Sequence, residues 1–229
     1  MRNRKYLTGA LLGVIGALAF TGVASAKVLG QTESATVSPS KQSKTTFGGA
    51  TLHNIISTSI DNPATTQSPR QTVFTLDPNV KYVNGNIPAC PLSSIQGKFD
   101  AQARAACPQS IVGQGSVEVN NGAVKGLVTF FSGGPTTVYV QSDIGPGATS
   151  LTIIGTLSGN TQTFSNIPNT PGLILTKFDT TFNKRKTGKK SFYFMARCKK
   201  GKWSTTETTT FYSGEVFSAS SSEKCKAKK

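Results

Sequence analysis

Residues 116–131 read SVEVNNGAVKGLVTFF: a short alternating run, a polar break at Asn120-Asn121-Gly122, and a second run. In the second run Val124, Val128 and Phe130 fall on one face, with Gly126 between them. A period of two marks a strand with one buried face, because successive side chains point to opposite sides of the pleat. Asn and Gly accept the positive φ that a tight hairpin turn demands. The stretch therefore predicts two antiparallel strands joined by a turn.

Outward from this hairpin the pattern recurs. Upstream, QTVFTL (71–76) reads as a strand and ATLHNIIS (50–57) as a weaker one, with the loop DNPATTQSPR between them. Downstream come TTVYVQS (136–142), SLTIIGTL (150–157), GLILTKFDTTFN (172–183), SFYFMARC (191–198) and WSTTETTTFY (203–212). Leu151, Ile153 and Leu157 share one face of their strand, and Ile174, Phe178 and Phe182 one face of theirs. Thr, Val and aromatics at this density suit a pleated, half-buried surface. About eight to ten short strands at regular spacing predict an all-β antiparallel fold. A β-sandwich is expected, with a barrel as the alternative, in one domain over 47–229.

CPLSSIQGKFDAQARAACPQSIVGQG (90–115) interrupts the strands. Ile95, Phe99 and Ala103 recur four apart, with Ala106 three further on, a narrow helical stripe. Ser93 or Ser94 can cap it, Pro108 lies past its end, and Gly97 weakens it. The chain has four cysteines, an even count that predicts two disulfides in an oxidising compartment. Three connectivities are open; the local pairing Cys90–Cys107 and Cys198–Cys225 is the one expected. Each closed loop would contribute roughly 3 kcal/mol. A helix over 94–106 would be about 20 Å long, whereas bridged Cα atoms lie within about 7 Å. The stapled helix is therefore expected to have about two turns.

The N-terminus opens with Arg2, Arg4 and Lys5, continues as the apolar run LTGALLGVIGALAFTGVA (7–24), and reaches Ala24-Ser25-Ala26. Basic, apolar, then small-x-small is the order of a secretory signal, so 1–26 is expected to be removed near Ala26. The mature protein is then expected outside the cell or in its envelope, with no transmembrane span. Residues 31–46, QTESATVSPSKQSKTT, hold one large apolar side chain, Val37. On that composition 27–46 reads as a flexible Ser/Thr-rich lead-in, with order beginning near Phe47.

The formal net charge is +15. Residues 183–229 hold 13 Lys/Arg against 3 Asp/Glu, so the basic character is concentrated in the last quarter. NKRKTGKK (183–190) and CKKGKW (198–203) flank one predicted strand and are expected at its opposite ends. If Cys198–Cys225 forms, the second basic turn and the tail KCKAKK converge. Such a field attracts polyanions.

The sequence argues against most catalytic chemistry. No two cysteines have the short spacing of a zinc knot or a dithiol redox pair. VGQGSVEV (112–119) gives Gly-x-Gly but lacks the third glycine and the following helix of a dinucleotide cradle. It reads as a turn or bulge entering a strand. His53 is the one histidine, and no Gly-x-Ser-x-Gly accompanies it. No calcium loop is present, and Asp143 beside Ile144-Gly145-Pro146-Gly147 reads as turn chemistry.

The run VFTLDPNVKYVNGNIPACPLSSI, continuing at CPQSIVGQGSVEV, resembles a group of uncharacterised secreted actinobacterial proteins. Their shared pattern is Pro-x-Cys, a short helix, then Cys-Pro-x-Ser-x-Val-Gly-x-Gly. Cys107, Pro108, Ser110, Val112, Gly113 and Gly115 match it. The C-terminal Cys198, Gly201, Trp203, Phe211-Tyr212-Ser213-Gly214 and Cys225 are similar to the group's closing segment. The likeness runs over roughly 72–225 and implies an exported β-domain; the group has no established activity.

The expectation is thus a secreted or envelope-associated, non-catalytic β-domain without a cofactor. Its partner would be an anionic cell-wall polymer or glycan, held by Lys184, Arg185, Lys186, Lys189, Lys190, Lys199, Lys200 and Lys202. No nucleic-acid motif is present, and no oligomeric state follows. The alternatives are a carbohydrate-binding module using Tyr139, Tyr193 or Trp203, and an extracellular hydrolase acting on wall polysaccharide through His53 or facing carboxylates.

Overall fold

The structure, a computed structural model, describes residues 28–63, 66–145, 149–184 and 193–228. The first strands are β1 (Val28–Ser38), β2 (Lys41–Gln42), β3 (Gly48–Gly49), β4 (Thr51–Ile60), β5 (Pro69–Leu76) and β6 (Val80–Tyr82). After helix α1 (Asp100–Ala106) come β7 (Ile111–Val119), β8 (Val124–Gly134), β9 (Thr137–Ile144), β10 (Thr149–Ser158) and β11 (Thr161–Phe164). The remainder are β12 (Leu175–Phe182), β13 (Phe194–Ala196), β14 (Lys202–Phe211), β15 (Val216–Lys224) and β16 (Lys226–Ala227).

The hairpin is β7–β8, with Val117 opposite Gly126 and Val119 opposite Val124. Its turn holds Asn120, Asn121 and Gly122 at φ of 53°, 58° and 87°, the left-handed region these residues tolerate. Eleven strands make one antiparallel sheet in the order β1-β4-β12-β7-β8-β9-β10-β11-β5-β14-β15. The sheet curls until its edge strands β1 and β15 lie side by side. The all-β antiparallel expectation holds, and its form is the nearly closed barrel, not a two-sheet sandwich. The ladder runs unbroken from β1 to β15, so these strands form one curled sheet instead of two facing ones; the two further sheets have only three and two strands.

Side chains complete the seam. The Ala35 N–H donates to Ser221 Oγ (3.0 Å), and the Val37 N–H donates to the Glu223 carboxylate. These contacts occupy edge amides that would otherwise invite pairing with another chain.

The flexible lead-in is a correction. Residues 28–38 form β1, paired with β4 from Val28–Ile60 to Ser38–Thr51. Ala35 and Val37 join the core, while Gln31 and Glu33 line the interior beside other polar side chains. A strand facing a partly polar interior needs few large apolar residues, which is why composition misread it. The predicted signal, including Ala24 and Ala26, lies outside the described residues. No helix among the described residues is long and apolar enough to cross a membrane.

Both disulfides pair locally as expected, Cys90–Cys107 and Cys198–Cys225, with Cα separations of 5.6 and 5.8 Å. Helix α1 spans seven residues, about two turns. It covers the outer wall of β8–β9, where Cys90, Ile95, Ala103, Cys107 and Phe131 form a second small core. Asp100 anchors it, accepting from Arg104 Nε (2.6 Å) and from the Thr129 hydroxyl, while its N–H donates to Asp143 Oδ2 (2.6 Å). The Gly-x-Gly after the second cysteine is a packing device. A Cβ on Gly115 would lie 2.0 Å from the Asp179 carbonyl oxygen, and one on Gly113 would lie 2.6 Å from the Phe182 ring. The glycines let β7 press against β12.

Candidate functional site

The small sheet β3-β13-β6 crosses one end of the barrel and plugs it. Tyr82 and Tyr193 pack there against Phe182 and Phe194 packs against Tyr82, with Tyr82 and Tyr193 ring centroids 5.5 Å apart and Phe182 and Tyr193 5.7 Å apart. Complete burial pushes both tyrosine hydroxyls up from their ordinary range. This end is the base.

The base collects lysine. Lys202 of β14 faces Lys224 of β15, and Lys41 of β2 faces Lys226 of β16. Backbone bonds fix the arrangement around Cys198–Cys225: Cys198 N–H to Ser43 O (2.9 Å), Cys225 N–H to Gly201 O (2.9 Å), Lys226 N–H to Ser40 O (2.9 Å) and Lys228 N–H to Gln42 O (2.7 Å). Lys41, Lys44, Lys199, Lys200, Lys202, Lys224, Lys226 and Lys228 are all exposed. Among the described residues none of them makes an ion pair; the salt bridges lie on the barrel wall instead. Above this cluster Phe47 is covered by Lys81 Nζ at 4.4 Å and the Arg197 guanidinium at 4.6 Å from its ring centroid, two cation–π contacts.

Of the predicted contact residues, Lys199, Lys200 and Lys202 share this cluster. Lys184 is exposed, and its N–H donates to Thr51 Oγ1 (3.1 Å), which puts it at the base where β4 begins. Arg185, Lys186, Lys189 and Lys190 lie outside the described residues. Lys184 and the Lys199–Lys202 turn thus both lie at the base of the barrel, and the other basic residues of the first run lie outside the described residues. Sequence reasoning missed Lys41 and Lys44, 180 residues away from the tail, because nothing local announced the β2–β16 pairing.

Trp203 is 1% exposed, and its indole N–H donates to Arg197 O (2.8 Å), so it is a core residue and offers no stacking face. Tyr193 is fully buried and Tyr139 packs beneath the stapled helix. The aromatic groove expected of a glycan module therefore does not form from these three.

His53 Nε2 lies 2.8 Å from Asp179 Oδ1. Lys177 Nζ bridges on to Asp179 (3.8 Å) and Glu118 (3.9 Å). These four side chains lie on neighbouring strands β4, β12 and β7 and form a polar ladder along the wall; among the described residues the side-chain partner of His53 is Asp179. Among the described residues no group of three His, Cys, Asp or Glu side chains is placed to hold a metal.

Two carboxyls do meet inside the barrel. Glu207 of β14 is 3% exposed. Its Oε2 accepts from Gln31 Nε2 (2.9 Å) and its Oε1 from Thr209 Oγ1 (3.1 Å). Burial, reinforced by nearby Glu33, pushes its pKa up to about 8. Burial likewise raises Glu33, whose Oε2 is buried with no hydrogen-bond partner among the described residues. The pair belongs to the interior, and no sequence signal joined residues so far apart in the chain. The chain matches no protein-family model and no curated protein.

Proposed function

We propose that this is an exported, non-enzymatic β-barrel domain that binds anionic extracellular polymer through its lysine-bearing base. The observation that carries the reading is the like-charge register, Lys202 against Lys224 and Lys41 against Lys226. Like charges directly opposite each other in a sheet destabilise it. Here they recur twice, with no described acid paired to them, around a disulfide that holds them together. A polyanion neutralising the cluster would offset that repulsion and release its own counterions. Export is supported by the predicted signal, by the resemblance to secreted actinobacterial proteins, and by two disulfides, which persist in oxidising compartments.

The test is retention of the mature protein on immobilised heparin and on purified teichoic-type polymer. Retention should fall steeply as salt rises, and the variant carrying Lys199→Gln, Lys200→Gln, Lys202→Gln and Lys224→Gln should elute at much lower salt. Retention that is indifferent to salt, or unchanged in the variant, would overturn the reading.

A further inference from the structure

The two halves of the barrel interior are filled differently. Toward the base, below a floor of Phe74, Phe164 and Phe178, about 10 Å³ is left between the side chains. Above the same floor lies a cavity of about 130 Å³. Its walls are mostly apolar, with Ile56, Val119, Val140, Ile144, Ile153 and Leu175 among them. Its polar side chains are largely engaged with one another: Gln31 and Thr209 donate to Glu207, and Thr72 and Thr209 share a hydrogen bond of 3.2 Å.

The rim is built as a joined collar. Ser68 Oγ bonds the Thr170 carbonyl and accepts from its N–H, each at 3.2 Å, and the Tyr212 hydroxyl donates to Ile167 O (2.8 Å). This end carries none of the lysines of the base.

We propose that the upper half of the barrel binds a small, uncharged, predominantly apolar molecule: a single ring or a short alkyl chain. Size sets the class. An apolar cavity of about 150 Å³ stays dry and takes a benzene-sized guest, whereas a held water needs two to four polar partners. Charge narrows it further. Burial raises Glu207 to about 8, which favours its neutral form at pH 7, and no other acidic side chain among the described residues lines the cavity. The Lys177 ammonium is held outside, by Glu118 and Asp179. The contrast within one barrel supports a ligand over a packing accident: Tyr82, Phe130 and Phe182, with Asn54, Gln162 and Thr205, fill the lower half, whereas Ile, Val and Leu side chains supply most of the apolar lining of the space left in the upper half. This inference is independent of polyanion binding, which concerns the opposite end.

The experiment is a methyl-NMR titration of the disulfide-intact mature protein at pH 7 with benzene, and in parallel with benzoate. Saturable shifts are expected at Ile56, Val140 and Ile153 methyls with benzene, and at least tenfold weaker binding of benzoate. Val140→Phe, which fills the space, should weaken benzene binding at least tenfold. Absence of saturable shifts, shifts spread over surface methyls, or equal affinity for benzoate would overturn the proposal without reference to the variant. Unaltered benzene binding by a folded Val140→Phe protein would overturn it as well.

Discussion

The base and the rim of this barrel are made from the same strands and differ in almost every physical respect. At the base, strand ends meet an aromatic plug, a disulfide and a crowd of lysines that make no ion pair among the described residues. At the rim they open around an apolar space bounded by hydrogen-bonded loops. The difference shows where each kind of free energy is concentrated. Below the Phe74–Phe164–Phe178 floor the interior is closely filled, by aromatic rings and by polar side chains such as Asn54, Gln162 and Thr205, and the lysines lie on the surface outside it. Above the floor, packing is incomplete; Gln31, Glu207, Thr72 and Thr209 are hydrogen-bonded to one another, while Gln31 Oε1 is buried without a partner among the described residues.

The contrast is broken most directly by truncation. Tyr193→Ala in the plug should cost about 3–5 kcal/mol, the usual range for an aromatic lost from a packed core, measured by urea unfolding. Ile153→Ala at the cavity should cost much less than that, since the space beside it is already open. Tyr193→Phe is the control. The Tyr193 hydroxyl is buried without a hydrogen-bond partner among the described residues, so its loss should be neutral or stabilising.

Removing Cys198–Cys225 by paired Ala substitution should cost roughly 3 kcal/mol in the chain-entropy picture. It should also lower polymer retention, because the tail lysines lose their anchor. Removing Cys90–Cys107 should cost a similar amount but leave retention unchanged, since that staple lies on the wall.

The rim has its own signature in pH. Glu207 titrates near 8 in the folded chain against an ordinary 4.5. Below about pH 4.5 it is protonated in both states, and its contribution to stability is complete. Between 4.5 and 8 the folded chain keeps a proton that the unfolded chain has lost, so stability falls as pH rises, by up to roughly 1.4 kcal/mol per pH unit. Above 8 that slope ends. Glu207→Gln should flatten this window in a series of unfolding curves; an unchanged slope would show that Glu207 is ionised in the folded state.

The smallest effect is the most diagnostic of the base. Lys224→Glu replaces a like pair with an opposite one across from Lys202, and should stabilise the fold by about 0.2–1 kcal/mol. The same change should weaken retention on anionic polymer. A loss of stability there would argue against repulsion in this register.

The hairpin at 116–131, the alternating strands and both disulfides were legible because each rests on local signals: period-two burial, a turn with positive φ, and even cysteines at short spacing. β1 and β15 were not. Both are rich in Ser and Thr, and on the exposed face of β15 the cross-strand contacts are hydroxyl pairs, Thr206 to Ser220 (3.0 Å) and Thr208 to Ser218 (2.9 Å), beside its backbone ladder with β14. Such pairs have no hydrophobic pattern to read. The Lys199–Lys202 turn could be found as a charge run, but its partners Lys41 and Lys44 depend on a tertiary pairing. The Glu33–Glu207 pair and the cavity arise only when β1 comes to lie beside β14. Gly113 and Gly115, which resemble a ligand loop in sequence, owe their identity to the crowding of β7 on β12.

The seam between β1 and β15 also bears on the order in which the molecule can be made. Ala35 and its partner Ser221 are 186 residues apart. A chain emerging N-terminus first must hold β1 with its outer edge uncovered until β15 has been synthesised, and a contact of such long range is slow to form. All the other strands of the barrel wall are therefore in place before it can close. Truncation upstream of Ser221 would leave an open sheet with an adhesive edge, not a smaller barrel.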